Sequence, residues 1–359
     1  MPTSGSREVA VVAFAQSQHL RRLEDRNEVE LVMPVLHEVK RSLGVEQKDI
    51  DFTCSGSTDY LAGAAFSFVQ ALDAVGAWPP IAESHVEADG AWALYEAWVK
   101  IQTGQADTAL VYSYGKSSPG SLRDVLSRQL DPYHQAPLWP DSIAVAALQA
   151  RACLEAGVTT LDEMAGIAAR SRRSAASNPF ALLQASDDPD VLLKEPELSS
   201  PLRRHDCPPI TDGAAAIVLA AGDRARELVE RPAWIDGIDH RTDAHSIGVR
   251  DLTASESTRI AGEKAGVGSK PVDLAELHAP FTHQEVILRR ALGLGDGVDV
   301  NPSGGALAAN PMMAAGLVRI GEAAQRVMRG DAGRAVAHAT SGPCLQQNLV
   351  CVIEAEGGS

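Results

Sequence analysis

The sequence predicts an α/β fold made of two similar halves. Three observations carry that expectation. Strand-like and helix-like segments alternate along the chain, the alternation runs twice, and each run closes on paired strands. Such repeated units read as sheets covered by helices.

The first run opens with a strand at Val9–Phe14 and a helix over Asn27–Leu43, where Leu31, Val32, Val35, Leu36 and Val39 make an apolar stripe at helical spacing, with Pro34 as a point of kinking. A strand at Asp51–Cys54, a helix at Leu61–Val75, a strand at Ser84–Ala88 and a helix at Ala91–Ile101 follow. The strand Thr108–Tyr114 and, after a gap, the apolar run Ala214–Ala221 complete it. The second run starts at Ala233–Ile238 and passes through a helix at Ser255–Ala265, a strand at Val272–His278 and a helix at Thr282–Leu292. It ends with a strand at Val298–Val300, a helix at Met312–Met328 and strands at Ala335–Ala339 and Leu349–Ile353. The stretch from Gly115 to Asp212 fits neither run; it carries Pro132, Pro137 and Pro140 and helices at Ser142–Ala156 and Leu161–Ser174. It reads as an insertion that caps one face. Residues 1–114 with 206–230 form the first half, 115–205 the loop or cap insertion, and 231–359 the second half.

Composition narrows the function. The 359 residues are 45% apolar and 22% charged, enough for a sizeable core. No apolar run approaches the length of a membrane helix. The start, Met1–Gly5, lacks the basic-then-apolar order of a secretory signal, so a cytoplasmic protein is expected. A formal charge of −15 argues against nucleic acid as a partner. The cysteines Cys54, Cys153, Cys207, Cys344 and Cys351 are odd in number, scattered, and form no Cys-x-x-Cys pair, which argues against a disulfide framework or a zinc knuckle. Gly115-Lys116-Ser117 ends like a phosphate-binding loop, but Leu110 stands where its leading Gly should be.

Four segments carry chemistry. Asn301-Pro302-Ser303-Gly304-Gly305-Ala306 lets backbone pass close to a ligand, and Asn310-Pro311 stands where a helix begins, so Asn310 either caps that helix or faces a cleft. His278, in Leu277-His278-Ala279-Pro280-Phe281, follows a strand at the carboxyl edge where α/β sheets bind ligands. There it is either a satisfied structural group or an acid, base or hydrogen-bond donor. His283 is expected to be exposed on the first turn of the next helix. Asp212-Gly213-Ala214-Ala215-Ala216 indicates close packing. In Val86-Glu87-Ala88-Asp89-Gly90-Ala91, a strand runs into a helix whose free N–H groups favour anions, and Asp89 reads as its N-cap.

Together these segments resemble the thiolase superfamily, over nearly the whole chain. Asn301–Gly305 resembles the thiolase Asn-Pro-x-Gly-Gly signature, and Asp212–Ala216 its Asp-Gly-Ala-Ala-Ala turn. Arg172-Arg173-Ser174-Ala175-Ala176-Ser177-Asn178-Pro179 is similar to the loop that lines the coenzyme A groove, and Leu277–Phe281 to the His-Asp-x-Phe segment of sterol-carrier-protein thiolases. The resemblance implies duplicated βαβαβαββ halves in α-β-α-β-α layers with an inserted loop domain.

The departures from the pattern are chemical. Thiolases keep a nucleophilic Cys at the start of the helix that here begins near Asp89-Gly90, where a helix N-terminus lowers a thiol's pKa. No Cys lies within thirty residues of Gly90. Ala309-Asn310-Pro311 replaces Gly-His-Pro, and Asn cannot accept the proton. The second thiolase Cys falls near His338–Gly342; Cys344 is close but out of order. Covalent acyl transfer is therefore not expected.

This loss pattern resembles the actinobacterial thiolase-like steroid side-chain aldolases, also carried by Glu87–Trp92, Tyr114–Gly120 and Ser341–Asn348. It implies retro-aldol cleavage of a β-hydroxyacyl-CoA, with coenzyme A as part of the substrate and no metal or redox cofactor in this chain. His278 and Asn310 would donate to the thioester oxygen, and Asp89, His283 or His338 would be the base. Gly90, Arg172, Arg173, Phe281, His283, Gly304, Gly305, Gly342 and Cys344 would bind substrate. The basic run Arg170, Arg172, Arg173 reads as a solvated face, and the resemblance adds contact with the CoA phosphates. Partners implied are a thiolase-like dimer mate and a small OB-fold protein with a zinc ribbon. Some of those aldolases use late tyrosines; the last here is Tyr133. The chain is thus the lyase, the non-catalytic half of a heteromer, or a degenerate acyl-CoA acyltransferase that would need free CoA and a covalent acyl-enzyme.

Overall fold

The computed structural model describes residues 7–63, 65–185 and 188–356. Met1–Gly5, on which the cytoplasmic expectation rests, lie outside the described residues. Among the described residues no helix is long and apolar enough to cross a membrane.

The first half holds β1 (Val9–Gln16), α1 (Glu28–Leu43), β2 (Phe52–Gly56), α2 (Asp59–Ala62), α3 (Ser67–Val75), β3 (Glu83–Val86), α4 (Gly90–Gln102) and β4 (Thr108–Gly115). Next come α5 (Leu122–Arg128), α6 (Ser142–Glu155), α7 (Leu161–Ser174) and α8 (Pro189–Leu192), then the short strands β5 (Glu197–Ser199), β6 (Leu202–Arg203) and β7 (Ile210–Thr211). β8 (Gly213–Ala221) returns to the first half, and α9 (Gly222–Leu228) leads on to β9 (Ala233–Thr242). α10 (Glu256–Lys264), β10 (Leu274–Leu277), α11 (Thr282–Ala291), β11 (Asp299–Val300), β12 (Asn310–Pro311), α12 (Ala315–Arg329), β13 (Arg334–Ser341) and β14 (Gln347–Glu354) complete the chain.

The strand order is β11-β10-β13-β14-β9-β1-β8-β4-β2-β3. Counted outward from the centre, β1-β8-β4-β2-β3 repeats as β9-β14-β13-β10-β11, so the sheet itself records the duplication. In each half the β2- or β10-centred strands run parallel and the β8- or β14-centred strands antiparallel. Among the described residues the two halves of the sheet pair through Ala10 with Trp234 and Val11 with Ala233.

Side-chain alternation, period two along each strand, sorts the core into layers. Val9 and Val11 of β1 pack with Leu94 and Ile101 of α4, Leu317 and Ile320 of α12, and Ala335, Leu349 and Cys351 of the second half. Ala10 and Val12 turn the other way, onto Leu31, Val35 and Leu36 of α1 and Ala71 of α3. Leu277, Val336 and Val350 face Ala261 of α10 and Ile287 of α11. The α4–α12 pair is therefore a middle layer between two sheet halves, each covered outside by its own helices. Each fully buried Leu or Ile there contributes about 2 kcal/mol.

Two segments differ from expectation, each for a local reason. The helix expected over Leu61–Val75 is broken into α2 and α3. Gly63 ends the first with a φ of +75°. The Asp59 carboxylate then accepts the N–H groups of Phe66 and Ser67, at 2.7 and 2.9 Å, and starts the second. Asn310-Pro311 is not the start of a helix. It pairs as a short parallel strand with Ile210-Thr211, and α12 begins only at Ala315, after Met313 in the left-handed region. Pro34 lies inside α1, which runs on through it.

Candidate functional site

An apolar cavity of about 180 Å³ opens where the carboxyl ends of β10 and β13 meet the approaches to α4 and α12. His278, Asn310, Thr340 and Asp89 line its polar end; Leu126, Leu130, Val145 and Phe281 line the rest with Met312 and Met313. The insertion thus forms one wall.

His278 follows β10, and its N–H donates to the His338 carbonyl at 3.1 Å, which extends the β10–β13 ladder. The ring Nδ1 accepts the Thr340 N–H at 3.3 Å. With Nδ1 accepting, the proton sits on Nε2, which donates to Asn310 Oδ1 at 3.1 Å. Burial, then the nearby His338 and Arg319, push the His278 pKa down to about 3, so the ring is neutral. The same bond turns the Asn310 amide so that its Nδ2 carries the free N–H groups. Among the described residues no protein acceptor takes them. β12 supports this geometry, because Asn310 N donates to Pro209 O at 3.2 Å.

Asp89 is the N-cap of α4 and more. Its carboxylate accepts from Ala91 N at 2.9 Å, Gly316 N at 2.9 Å and Leu317 N at 3.1 Å. One side chain therefore caps both middle-layer helices, and α12 has no side-chain cap of its own. Burial pushes its pKa up, against those three N–H bonds and Arg319.

Gly90, expected where thiolases keep their Cys, has no room for a side chain. A Cβ on Gly90 would lie 2.4 Å from Ser113 Cβ and 2.9 Å from Leu317 Cδ2. Gly90 N donates to Met313 O at 2.8 Å, and Ser113 Oγ donates to the same carbonyl. Cys344 does line the cavity. Its Sγ donates to Val145 O at 3.6 Å, and burial pushes the thiol up to about 11. It is a protonated thiol packed with Leu130 and Val145, not an activated nucleophile. Gly342 opens the turn that delivers it, with φ values of +75° at Gly342, +54° at Cys344 and +59° at Leu345.

Other expected residues fall outside the cavity. His283 is fully buried, not exposed: its Nε2 lies 3.2 Å from Gln149 Oε1 of α6, which covers that first turn, and burial pushes its pKa down to about 3. His338 points away from the cavity toward α10, with Nε2 3.0 Å from Asn348 Oδ1, and burial pushes it down to about 4. Gly304 and Gly305, at φ +96° and +63°, support the site from behind; a Cβ there would strike Ala175 or Asn301. Asp212 is a turn anchor, accepting from Leu23 N at 2.9 Å and Ser118 N at 3.1 Å.

A second groove of about 540 Å³ shares Pro208 with the cavity. Arg172 lines it together with Arg21 and Arg204, which sequence reasoning missed because Arg21 stands in a bend and Arg204 in a single 3-10 turn, neither with a periodic signal. Arg173 is exposed at the end of the same helix. Arg170 is not part of a solvated face; it turns inward to the buried Glu285. Among the described residues no cluster of His, Cys, Asp and Glu could hold a metal ion.

No protein-family model matches the chain. Among curated proteins, an acetyl-CoA acetyltransferase of Methanocaldococcus jannaschii is 25% identical over 348 residues, covering 88% of each chain. Sterol carrier protein 2 of Gallus gallus is 27% identical over 288 residues, covering 69% of this chain but 52% of that protein, so the chain spans about half of it. Among solved structures, the Ltp2-ChsH2(DUF35) aldolase superposes with a TM-score of 0.80 over 97% of this chain and 98% of that one, at 19% identity. The chain is thus similar in sequence to acetyl-CoA acetyltransferases and to sterol carrier protein 2, and its duplicated sheet order is the fold of the aldolase and of human mitochondrial 3-ketoacyl-CoA thiolase.

Proposed function

We propose that the chain is a carbon–carbon lyase that cleaves a β-hydroxyacyl-CoA by retro-aldol chemistry, with a steroid side-chain thioester as its substrate class. One observation carries the reading: the His278–Asn310 pair stands at the polar end of an apolar cavity whose nucleophile slot is filled by Ser113 and Leu317. The thioester oxygen takes the Asn310 Nδ2–H, and His278 polarises that amide through Oδ1. Removal of the β-hydroxyl proton by a base then breaks the Cα–Cβ bond and releases a ketone or aldehyde, and the thioester enolate held by the same donor takes that proton at Cα to give the shortened acyl-CoA. Preorganised donors contribute about 3 kcal/mol each to such a transition state. The Arg21, Arg172 and Arg204 groove takes the CoA phosphates, and the acyl chain enters past Pro208. Likeness to an aldolase supports this choice.

The base comes from outside this chain. Asp89 has its oxygens committed to three N–H groups, and His283 and His338 do not reach the cavity. A heteromer with a thiolase-like mate fits this need, as does a small OB-fold and zinc-ribbon protein. The aldolase neighbour, Ltp2-ChsH2(DUF35), is named together with a second component. The edge strand β3, with exposed Tyr60, Phe66 and Trp78 near it, offers a place for a mate.

The test is cleavage of a steroid β-hydroxyacyl-CoA by the purified chain alone and with the protein that co-purifies. Activity with the partner that His278→Ala abolishes supports the lyase. Activity indifferent to His278→Ala would make this chain the non-catalytic subunit, a reading favoured by the lack of a free base at the cavity. An acylated Cys344 found by mass spectrometry would instead revive a degenerate acyltransferase.

A further inference from the structure

The closing residues of α7 divide their work among three directions. Arg172 lines the groove. Ser171 Oγ donates to the Gly304 carbonyl, and Arg170 Nη2 is ion-paired with Glu285 Oε1. Glu285 is fully buried in α11, and its other oxygen accepts from Asn301 Nδ2 at 3.1 Å. Asn301 Oδ1 in turn accepts the Leu277 N–H at 2.7 Å, one residue before His278. Asn301 holds a φ of +54°, which a non-glycine residue keeps only where its surroundings over-determine it.

We propose that Arg170 is a positioning residue that ties the seating of the insertion to the orientation of His278. The connection runs Arg170, Glu285, Asn301, the Leu277 amide, His278, and meets the cavity only at His278. Because Arg170 and Arg172 share one helical turn, a phosphate-bearing ligand that draws on Arg172 pulls on the same turn that fixes Asn301. Groove occupancy and the alignment of the His278–Asn310 pair are then linked through a rigid segment rather than a loop. The inference rests on the retro-aldol reading for its kinetic arm only.

Three variants separate positioning from simple loss of fold. Arg170→Met leaves Glu285 buried without its cation, which destabilises the chain. Arg170→Lys keeps a charge, and Arg170→Met with Glu285→Gln removes the pair while leaving an acceptor for Asn301. With the co-purifying partner and a steroid β-hydroxyacyl-CoA, Arg170→Met should lower kcat about tenfold with KM unchanged within about twofold, since small misplacements act on the transition state. Arg170→Lys should recover most of that loss, and Arg172→Met should raise KM instead. Independently of turnover, free coenzyme A added to the wild type should shift the ring ¹⁵N signals of His278, and the double variant should lose the shift while keeping its Tm. A rise in KM alone for Arg170→Met, no change in kcat, or an undiminished His278 shift in the double variant overturns the proposal. A wild type that never cleaves the thioester sinks the retro-aldol reading, and the His278 signals still decide the link.

Discussion

His278 Nε2 lies 3.1 Å from Asn310 Oδ1, and the Thr340 N–H on the opposite side of the ring decides which way that hydrogen bond runs. A histidine free to choose its tautomer could accept from Asn310. This one cannot, because its Nδ1 is already an acceptor. The two side chains therefore act as one donor, ending in the Asn310 Nδ2–H.

A unit of this kind has a kinetic signature. His278→Ala and Asn310→Ala should each reduce kcat by about 100-fold, and the double variant should be little worse than either single one. Steady-state rates of the four proteins with a β-hydroxyacyl-CoA check this. A double variant at the product of the two losses would show that the residues act independently.

Four buried imidazoles set the acid limit of stability. Burial pushes His19, His278 and His283 down to about 3 and His338 to about 4, from an ordinary 6.5. In the unfolded chain these rings take up protons near pH 6.5; in the fold they stay neutral. Unfolding therefore takes up protons between about pH 6.5 and 3, and stability falls as pH falls through that window. It is fully present above 6.5. Replacing His283 by Gln removes one proton from the uptake, so the drop in Tm from pH 7 to pH 5 should be smaller in that variant. An equal drop would place its titration elsewhere.

Some of this was legible from sequence. The duplicated order was, since strand alternation is local and repeats, and so was the Asn301–Gly305 turn, where Gly304 and Gly305 adopt positive φ and approach Ala175 and Asn301. What escaped depends on residues distant in the chain. β12 exists because Ile210-Thr211 lies alongside it, a hundred residues earlier. His283 looked exposed because a first helical turn usually is, but Gln149 of the insertion covers it. Asp89 read correctly as a cap of α4; its second service, to Gly316 and Leu317, needs the packing of α12.

That double cap predicts how Asp89 variants behave. Asp89→Ala strands three buried N–H groups at two helix starts and should cost about 3 kcal/mol or more. Asp89→Asn keeps one acceptor oxygen and should lose less. Denaturant melts of both report this directly. A base at this position would give a different outcome, with Asp89→Asn retaining its Tm and losing turnover outright.

The space around Gly90 rules on the fate of a thiol placed there. Likeness to acetyl-CoA acetyltransferases suggests that a Cys placed there would give acyl transfer. The geometry says otherwise: the new Cβ would meet Ser113 Cβ at 2.4 Å and Leu317 Cβ at 3.0 Å, both on packed elements of the middle layer. Overpacking of this sort costs about 1–3 kcal/mol. With Asn310 unable to accept a proton, the thiol would also lack a base. Gly90→Cys should therefore be less stable than the wild type and form no acyl-enzyme with acetyl-CoA, as read by intact-protein mass spectrometry. Cys344→Ser should leave cleavage of the β-hydroxyacyl-CoA intact, because its thiol, held up near 11, contributes packing and not chemistry. A covalent adduct on either sulfur would mean that the slot opens in solution and that the transferase chemistry survives.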